Sequence, residues 1–204
     1  MNLLKKRIKT NFLRLFLVLL GVVLCVRCTT DSSLVVVDNP SDRTITFTVD
    51  EKVYTLDPKE SMELSLALGE HTLTNPSGKR ITFTKQEYEE KSLLNPLEET
   101  YVIVTTAYTD SNKEENFLLE QMFQLIELNG RYYYGPFQLV NAPYTARTTF
   151  GDPWHYGLDE DFEDRITINA THSTSINIRK AKIYRAEDFE KNYADYEIDP
   201  SELN

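Results

Sequence analysis

Thr44-Ile45-Thr46-Phe47-Thr48-Val49, closed by Asp50-Glu51, is the stretch that decides the fold class. Successive side chains of an extended chain point to opposite faces. Ile45, Phe47 and Val49 therefore share one face, and Thr44, Thr46 and Thr48 share the other. β-Branched and aromatic residues suit a half-buried pleated surface. Outward from this stretch, Met62, Leu64 and Leu66 repeat the alternation against Glu63 and Ser65, and Leu73, Ile81 and Phe83 continue it. The breaks fall at Asn39-Pro40-Ser41-Asp42, Asp50-Glu51, Asp57-Pro58, Leu68-Gly69 and Asn75-Pro76-Ser77-Gly78. Short alternating strands separated by turn residues argue for an antiparallel sandwich. The expected fold is mainly β: one or two antiparallel β-sandwich lobes after an N-terminal segment, with a short C-terminal helix.

The first lobe is expected over 34–84. Residues 85–100 are charged and contain Asn95-Pro96, which reads as a connection with room for a helical turn or two over Gln86 to Lys91. A second β lobe follows over 101–184. Tyr101 to Thr106 holds Val102, Ile103 and Val104, apolar on both faces, as a central strand requires. In 117–134, Leu118, Met122, Leu125 and Ile126 fit a helix face, but Asn129-Gly130 is a strong hairpin signal. The hairpin is the preferred reading, pairing Leu128 with Arg131, Ile126 with Tyr133 and Leu125 with Tyr134. Phe137 to Val140 and Tyr144 to Thr149 read as short strands, and Gly151 to Asp164 as a loop. Arg165 to Ala170 and Ser175 to Tyr184 read as a closing pair, the second at a sheet edge because neither of its phases is cleanly apolar. In the tail, 185–204, Phe189, Tyr193 and Tyr196 stand at i, i+4, i+7, the spacing of a helix packing one face on the sheet.

Charge divides the chain. Six basic residues precede the first acid, Asp31; from Cys28 onward 16 basic residues face 32 acidic ones, a net charge of −16. Nucleic acids and anionic lipid surfaces need a basic face to neutralise phosphates, so neither is an expected partner of the body. Met1 to Arg14 is basic, Leu15 to Val26 is uncharged and rich in Leu and Val, and Cys28 is followed by Thr29-Thr30-Asp31-Ser32-Ser33. A basic head, a short apolar run and a small polar tail are the layout of a secretory signal. The run is short against the roughly 20 residues of a spanning helix. Cys25 and Cys28 are the only cysteines. That excludes an intrachain disulfide framework downstream, and a single C-x-x-C supplies half a zinc site at most.

These residues resemble a bacterial lipoprotein signal, and the polar stretch after Cys28 is similar to the tethers of Bacteroidota surface lipoproteins. The resemblance implies a signal or anchor segment over 1–28, a polar tether over 29–33 and lipid attachment at Cys28, with Cys25 as the alternative. It places the body in the cell envelope, at the outer membrane through its lipid. The competing arrangement is an uncleaved single-pass anchor in the inner membrane with the body exported. Leu66-Ala67-Leu68-Gly69-Glu70-His71-Thr72-Leu73 also resembles the strand–Gly–strand step of PEGA-like or immunoglobulin-like modules of envelope proteins.

Chemistry-bearing residues are few. The three histidines, His71, His155 and His172, lack the spacing of a helical zinc motif. His71 shares its strand phase with Leu73, which fits a hydrogen-bonded core histidine. The loop Gly151 to Asp164 holds the only Trp and six acids. Three readings of it are open. Trp154, His155 and Tyr156 could form a sugar or peptide site with stacking platforms. Asp159, Asp161 and Glu163 alternate in the manner of a calcium ligand loop, though not in EF-hand order. Alternatively Trp154 and Phe162 pin the loop to the core and the acids are solvated. Tyr132 and Tyr134 should face away from Tyr133 on a strand, so the three cannot form one platform. No G-x-S-x-G elbow, glycine-rich phosphate loop or body cysteine supports nucleophilic catalysis, and no cofactor is implied. The expected role is non-enzymatic binding or scaffolding, with the membrane met through the N-terminal anchor and envelope proteins or surface glycans as partners of the body. A carbohydrate- or peptide-binding module using the Trp154 loop is one alternative. A glycosidase-like enzyme, which needs only two suitably spaced carboxylates, is the other.

Overall fold

A computed structural model of the chain describes residues 34–87, 89, 91–109, 119–148, 154–166 and 177–203. The protein is mainly β, with several antiparallel sheets and one short C-terminal helix. The founding stretch forms β2 (Ile45–Val49), which pairs antiparallel with β3 (Lys52–Leu56) and β5 (Gly69–Thr74); β5 in turn pairs with β6 (Arg80–Lys85). Opposite this sheet stands a second, ordered β12-β7-β1-β4: β1 (Leu34–Asp38), β4 (Ser61–Ser65), β7 (Ser92–Leu94) and β12 (Tyr144–Thr145). Val35, Val37, Leu64 and Leu94 from the second sheet meet Ile45, Phe47, Val49, Leu73 and Phe83 from the first, closing an apolar sandwich core.

The Asn-Pro-Ser segments between strands act through one mechanism. Asn39 Oδ1 accepts from the Ser41 amide and hydroxyl, and Asn75 Oδ1 accepts from those of Ser77. The side-chain amide stands in for a backbone turn partner. Asn39 is buried, and its Nδ2 donates to the carbonyls of Arg43, Leu56 and Asp57, so its polar groups are satisfied.

Residues 85–100 do more than connect. Lys85 ends β6, and Ser92, Leu93 and Leu94 form β7, which runs parallel to β1 and pairs with β12 from much later in the chain. Among the described residues of 86–91 there is no helical turn. Three buried residues are too short a run to announce a strand by periodicity; pairing on both sides makes it one.

β8 (Tyr101–Thr109) is the middle strand of a third sheet, between β11 (Phe137–Val140) and β13 (Asn177–Arg185). It is buried on both faces, as its apolar run requires. One face carries Val102, Val104, Phe137 and Tyr184. These pack on the hairpin of β9 (Gln124–Leu128) and β10 (Arg131–Gly135) and on α1 (Ala186–Asn192). The hairpin has the register that Asn129-Gly130 dictates, with Leu128 opposite Arg131 and Ile126 opposite Tyr133. Both turn residues have positive φ, 52° and 79°. Tyr133 is buried, Tyr134 is exposed and Tyr132 lies between, so the three tyrosines divide as strand alternation demands. Phe189 of α1 is buried against Tyr133 and Phe137, and Tyr193 and Tyr196 extend the same aromatic face.

Three expected strands change. The one starting at Tyr144 ends at Thr145. The closing strand runs on through Arg185, and its expected start, Ser175 and Ile176, lies outside the described residues. Arg165 and Ile166 are not in a strand, and the rest of Arg165 to Ala170 lies outside the described residues.

Candidate functional site

The other face of the third sheet is covered by the loop that holds the sole tryptophan. Trp154 is 0 % exposed and packs among Tyr101, Ile103, Ala181, Ile183, Leu158 and Leu93. The loop is stitched to the outer edge of β13. The His155 and Tyr156 amides donate to the Ala181 carbonyl at 2.7 and 3.2 Å, the Ala181 amide donates to His155 Nδ1 at 3.2 Å, and Tyr156 bridges Lys182. An edge strand presents unpaired backbone groups, and here a loop takes them up. Tyr156 packs edge-on against Phe162 at 5.2 Å, and the Tyr108 hydroxyl donates to the Glu163 carbonyl at 2.6 Å. Burial first, and then Tyr156 beside it, hold the Tyr108 phenol in its neutral form.

This placement sorts the three readings of the loop. A stacking platform needs an open aromatic face, and both faces of Trp154 are covered by protein. The ring acts as the pin of the third reading instead. His155 and Tyr156 are half-buried and are committed to β13 through their backbones. Asp159 faces the Arg185 guanidinium at 3.7 Å and Asp161 faces the Lys182 ammonium at 3.4 Å, so protein cations already engage these two carboxylates. Glu163 meets Tyr108 through its backbone carbonyl. Among the described residues no group of three or more His, Cys, Asp or Glu is placed to hold a metal ion.

Beside the loop lies a groove of about 550 Å³. Its floor is the face of β1 and β4 turned away from the sandwich core, carrying Leu34, Val36, Ser61 and Glu63; the wall is Gly157 to Glu160. Strand alternation creates this floor: Val35 and Val37 point into the core, so Leu34 and Val36 must point the other way. Lys91, just before β7, pairs with Glu160, whose carboxylate also accepts the Gly157 amide at 2.7 Å. Lys91 and then that amide hold the Glu160 carboxyl below the ordinary carboxylate range. A general acid needs the opposite shift, so this carboxylate is set to stay ionised rather than to donate a proton.

Behind the groove a buried ion pair joins two sheets. Asp38, at the end of β1, is 0 % exposed. Arg185, at the end of β13, donates to it through Nε at 2.9 Å and Nη2 at 2.6 Å, and the Tyr101 hydroxyl of β8 donates to the same carboxylate at 2.9 Å. The bidentate fork satisfies both oxygens. Asp38 keeps the guanidinium firmly charged, and burial together with Asp38 keeps the Tyr101 phenol neutral. Sequence reasoning passed over this triad because its members lie 63 and 147 positions apart. Asp38 and Arg185 each look like an ordinary surface charge in sequence.

The lipid-attachment candidates Cys28 and Cys25 lie outside the described residues. No helix among the described residues is long and apolar enough to cross a membrane. No family model matches this chain, and no curated protein or solved structure is detectably similar to it.

Proposed function

We propose that the chain is an exported cell-envelope protein, anchored to the outer membrane by a lipid on Cys28 or else Cys25, whose β body binds or scaffolds rather than catalyses. The observation that carries this reading is the order of parts. A basic head, an uncharged Leu- and Val-rich run, a cysteine and a five-residue polar stretch lead directly into β1. Residues 29–33 span at most about 20 Å when fully extended. A lipid on Cys28 would therefore hold the groove and the first lobe close to the bilayer, within reach of other envelope components. The β body supports the reading, since sheet layers fixed by a buried ion pair suit a rigid binding or scaffolding unit.

The test is the intact mass of the protein extracted with detergent from native membranes. A mature chain starting at Cys28 or Cys25 and carrying acyl mass is expected. A full-length chain without lipid would refute the lipid anchor in favour of an uncleaved inner-membrane segment. A second reading, a ligand-binding module, draws support from the groove between β1, β4 and the loop. It shifts the ligand from Trp154 to Leu34, Val36 and the rim of Lys91, Glu63 and Asp159.

A further inference from the structure

His71 of β5 is buried, and both of its ring nitrogens face acceptors. Nε2 lies 2.8 Å from the Ala67 carbonyl oxygen, and Nδ1 lies 2.5 Å from Asp50 Oδ2. A carbonyl oxygen only accepts, so Nε2 carries a hydrogen. A neutral imidazole has one N–H. A neutral ring would therefore turn its Nδ1 lone pair toward the carboxylate, unless Asp50 itself held a proton. Asp50 is poorly placed to hold one. Its Oδ1 accepts the Thr72 amide at 2.9 Å. Burial alone would raise its carboxyl, but the His71 and Thr72 hydrogen bonds outweigh that and hold it below the usual range. The geometry therefore calls for a hydrogen between Nδ1 and Asp50 Oδ2.

Asp50 also sits in a strained place. Asp50 and Glu51 form the two-residue turn between β2 and β3, and both have positive φ, 50° and 70°. Such turns favour Asn-Gly or Asp-Gly, because side chains resist the left-handed region. Glu51 in the second position has no glycine's freedom. The turn is held instead by bonds to β5: the Asp50 amide donates to the Thr72 carbonyl at 3.0 Å, the Thr72 amide donates to Asp50, and His71 contacts the other carboxylate oxygen.

We propose that His71 and Asp50 form an imidazolium–carboxylate latch that pins the strained β2–β3 turn to β5 and releases it when the ring loses its Nδ1 proton. The turn borders a groove of about 420 Å³ lined by Thr48, Asp50, Glu51, Thr72, Thr74 and Arg80, so latching sets the shape of that groove. The surroundings of the ring are otherwise apolar or weakly charged. Phe83 of β6 lies across from it at 5.5 Å, with Tyr144 of β12 stacked behind Phe83 at 4.7 Å. Burial and the hydrogen bond to Glu89 keep the Tyr144 phenol neutral. Lys85, two positions beyond Phe83 on the same face of β6, is drawn toward its neutral form by burial, against the pull of Glu89. Glu51 in the turn and Glu70 on β5 are exposed. Asp50 is thus the carboxylate in direct contact with the ring.

Ring ¹⁵N NMR of the full chain tests the latch, with the His71 signals identified by their loss in His71→Asn and the amides of Asp50, Glu51 and Thr72 followed in parallel. From about pH 5 to about pH 10, the range that brackets histidine titration, the ring should pass from two protons to one. The three amides should shift over the same pH interval. Asp50→Asn keeps an acceptor for the Thr72 amide but removes the charge. In that variant the three amides should cease to follow the ring. A singly protonated ring throughout, or amide shifts identical in the parent and Asp50→Asn, would overturn the proposal.

Discussion

Replacing Trp154 with alanine removes the largest fully buried side chain of the protein. A buried aromatic ring withdraws roughly 150–250 Å² from water, which at about 25 cal/mol per Å² is worth about 4–6 kcal/mol. Measured Trp or Phe to Ala changes in cores cost about 3–5 kcal/mol, so about 4 kcal/mol is expected. In a folding unit of this size each kcal/mol lowers the melting temperature by about 2–4 °C. The loss of ellipticity on heating should therefore come about 8–16 °C earlier than in the parent. Trp154→Phe should cost less than half as much. It keeps an aromatic filler, and it removes an indole N–H that finds no acceptor among the described residues. An unsatisfied buried donor costs about 1–3 kcal/mol, which offsets part of the lost volume. Trp154 is the sole tryptophan, so its fluorescence also reports unfolding of the parent without any label. An alanine variant melting within about 3 °C of the parent would refute the reasoning, because a ring at the centre of that cluster cannot be lost so cheaply.

Two further predictions concern charge. Arg185→Met leaves Asp38 buried with only the Tyr101 hydroxyl and should cost about 3–5 kcal/mol in denaturant unfolding. Combining it with Asp38→Leu should cost less than the two single changes summed, because no unpaired charge remains; strict additivity would show that the pair does not act as a unit. The Asp50 carboxyl is lowered in the folded state, so its contribution to stability is complete above the unfolded-state value of roughly 3.9 and is lost as pH falls through the lower folded value. Asp50→Asn should flatten the fall in stability below about pH 4, as read from urea unfolding across that range; an unchanged acid limb would count against it.

The parts of the fold that were legible in the sequence are those governed by local rules. β2 follows from alternation, the β9–β10 register from a two-residue turn, and α1 from the spacing of Phe189 and Tyr193. β8 follows from a run that is apolar on both faces. What stayed hidden depends on partners distant in sequence. β7 is three residues long and is defined by β1 and β12. Trp154 could have faced solvent or core on composition alone; the backbone bonds of its neighbours to Ala181 turn it inward. The buried carboxylate of Asp38 looks like any strand-end acid until Tyr101 and Arg185 arrive from the third sheet. His71 was legible as a buried, hydrogen-bonded residue from its phase with Leu73. Its partner Asp50 depends on how β2 and β5 register, which alternation does not fix.

The position of β1 has a mechanical consequence. Any pull on the chain upstream of Leu34 enters the folded unit along this strand. β1 is clamped on both sides, antiparallel to β4 and parallel to β7, with Asp38 bolted to Arg185 at its far end. Ladder hydrogen bonds lie across the strand axis. A force along β1 would therefore load them together in shear, where an edge strand peeled from its end would surrender them singly. Drawing β1 out would also require moving a buried, bidentate carboxylate past its guanidinium. A tether attached there would meet a strand that resists as one unit with its neighbours on both sides.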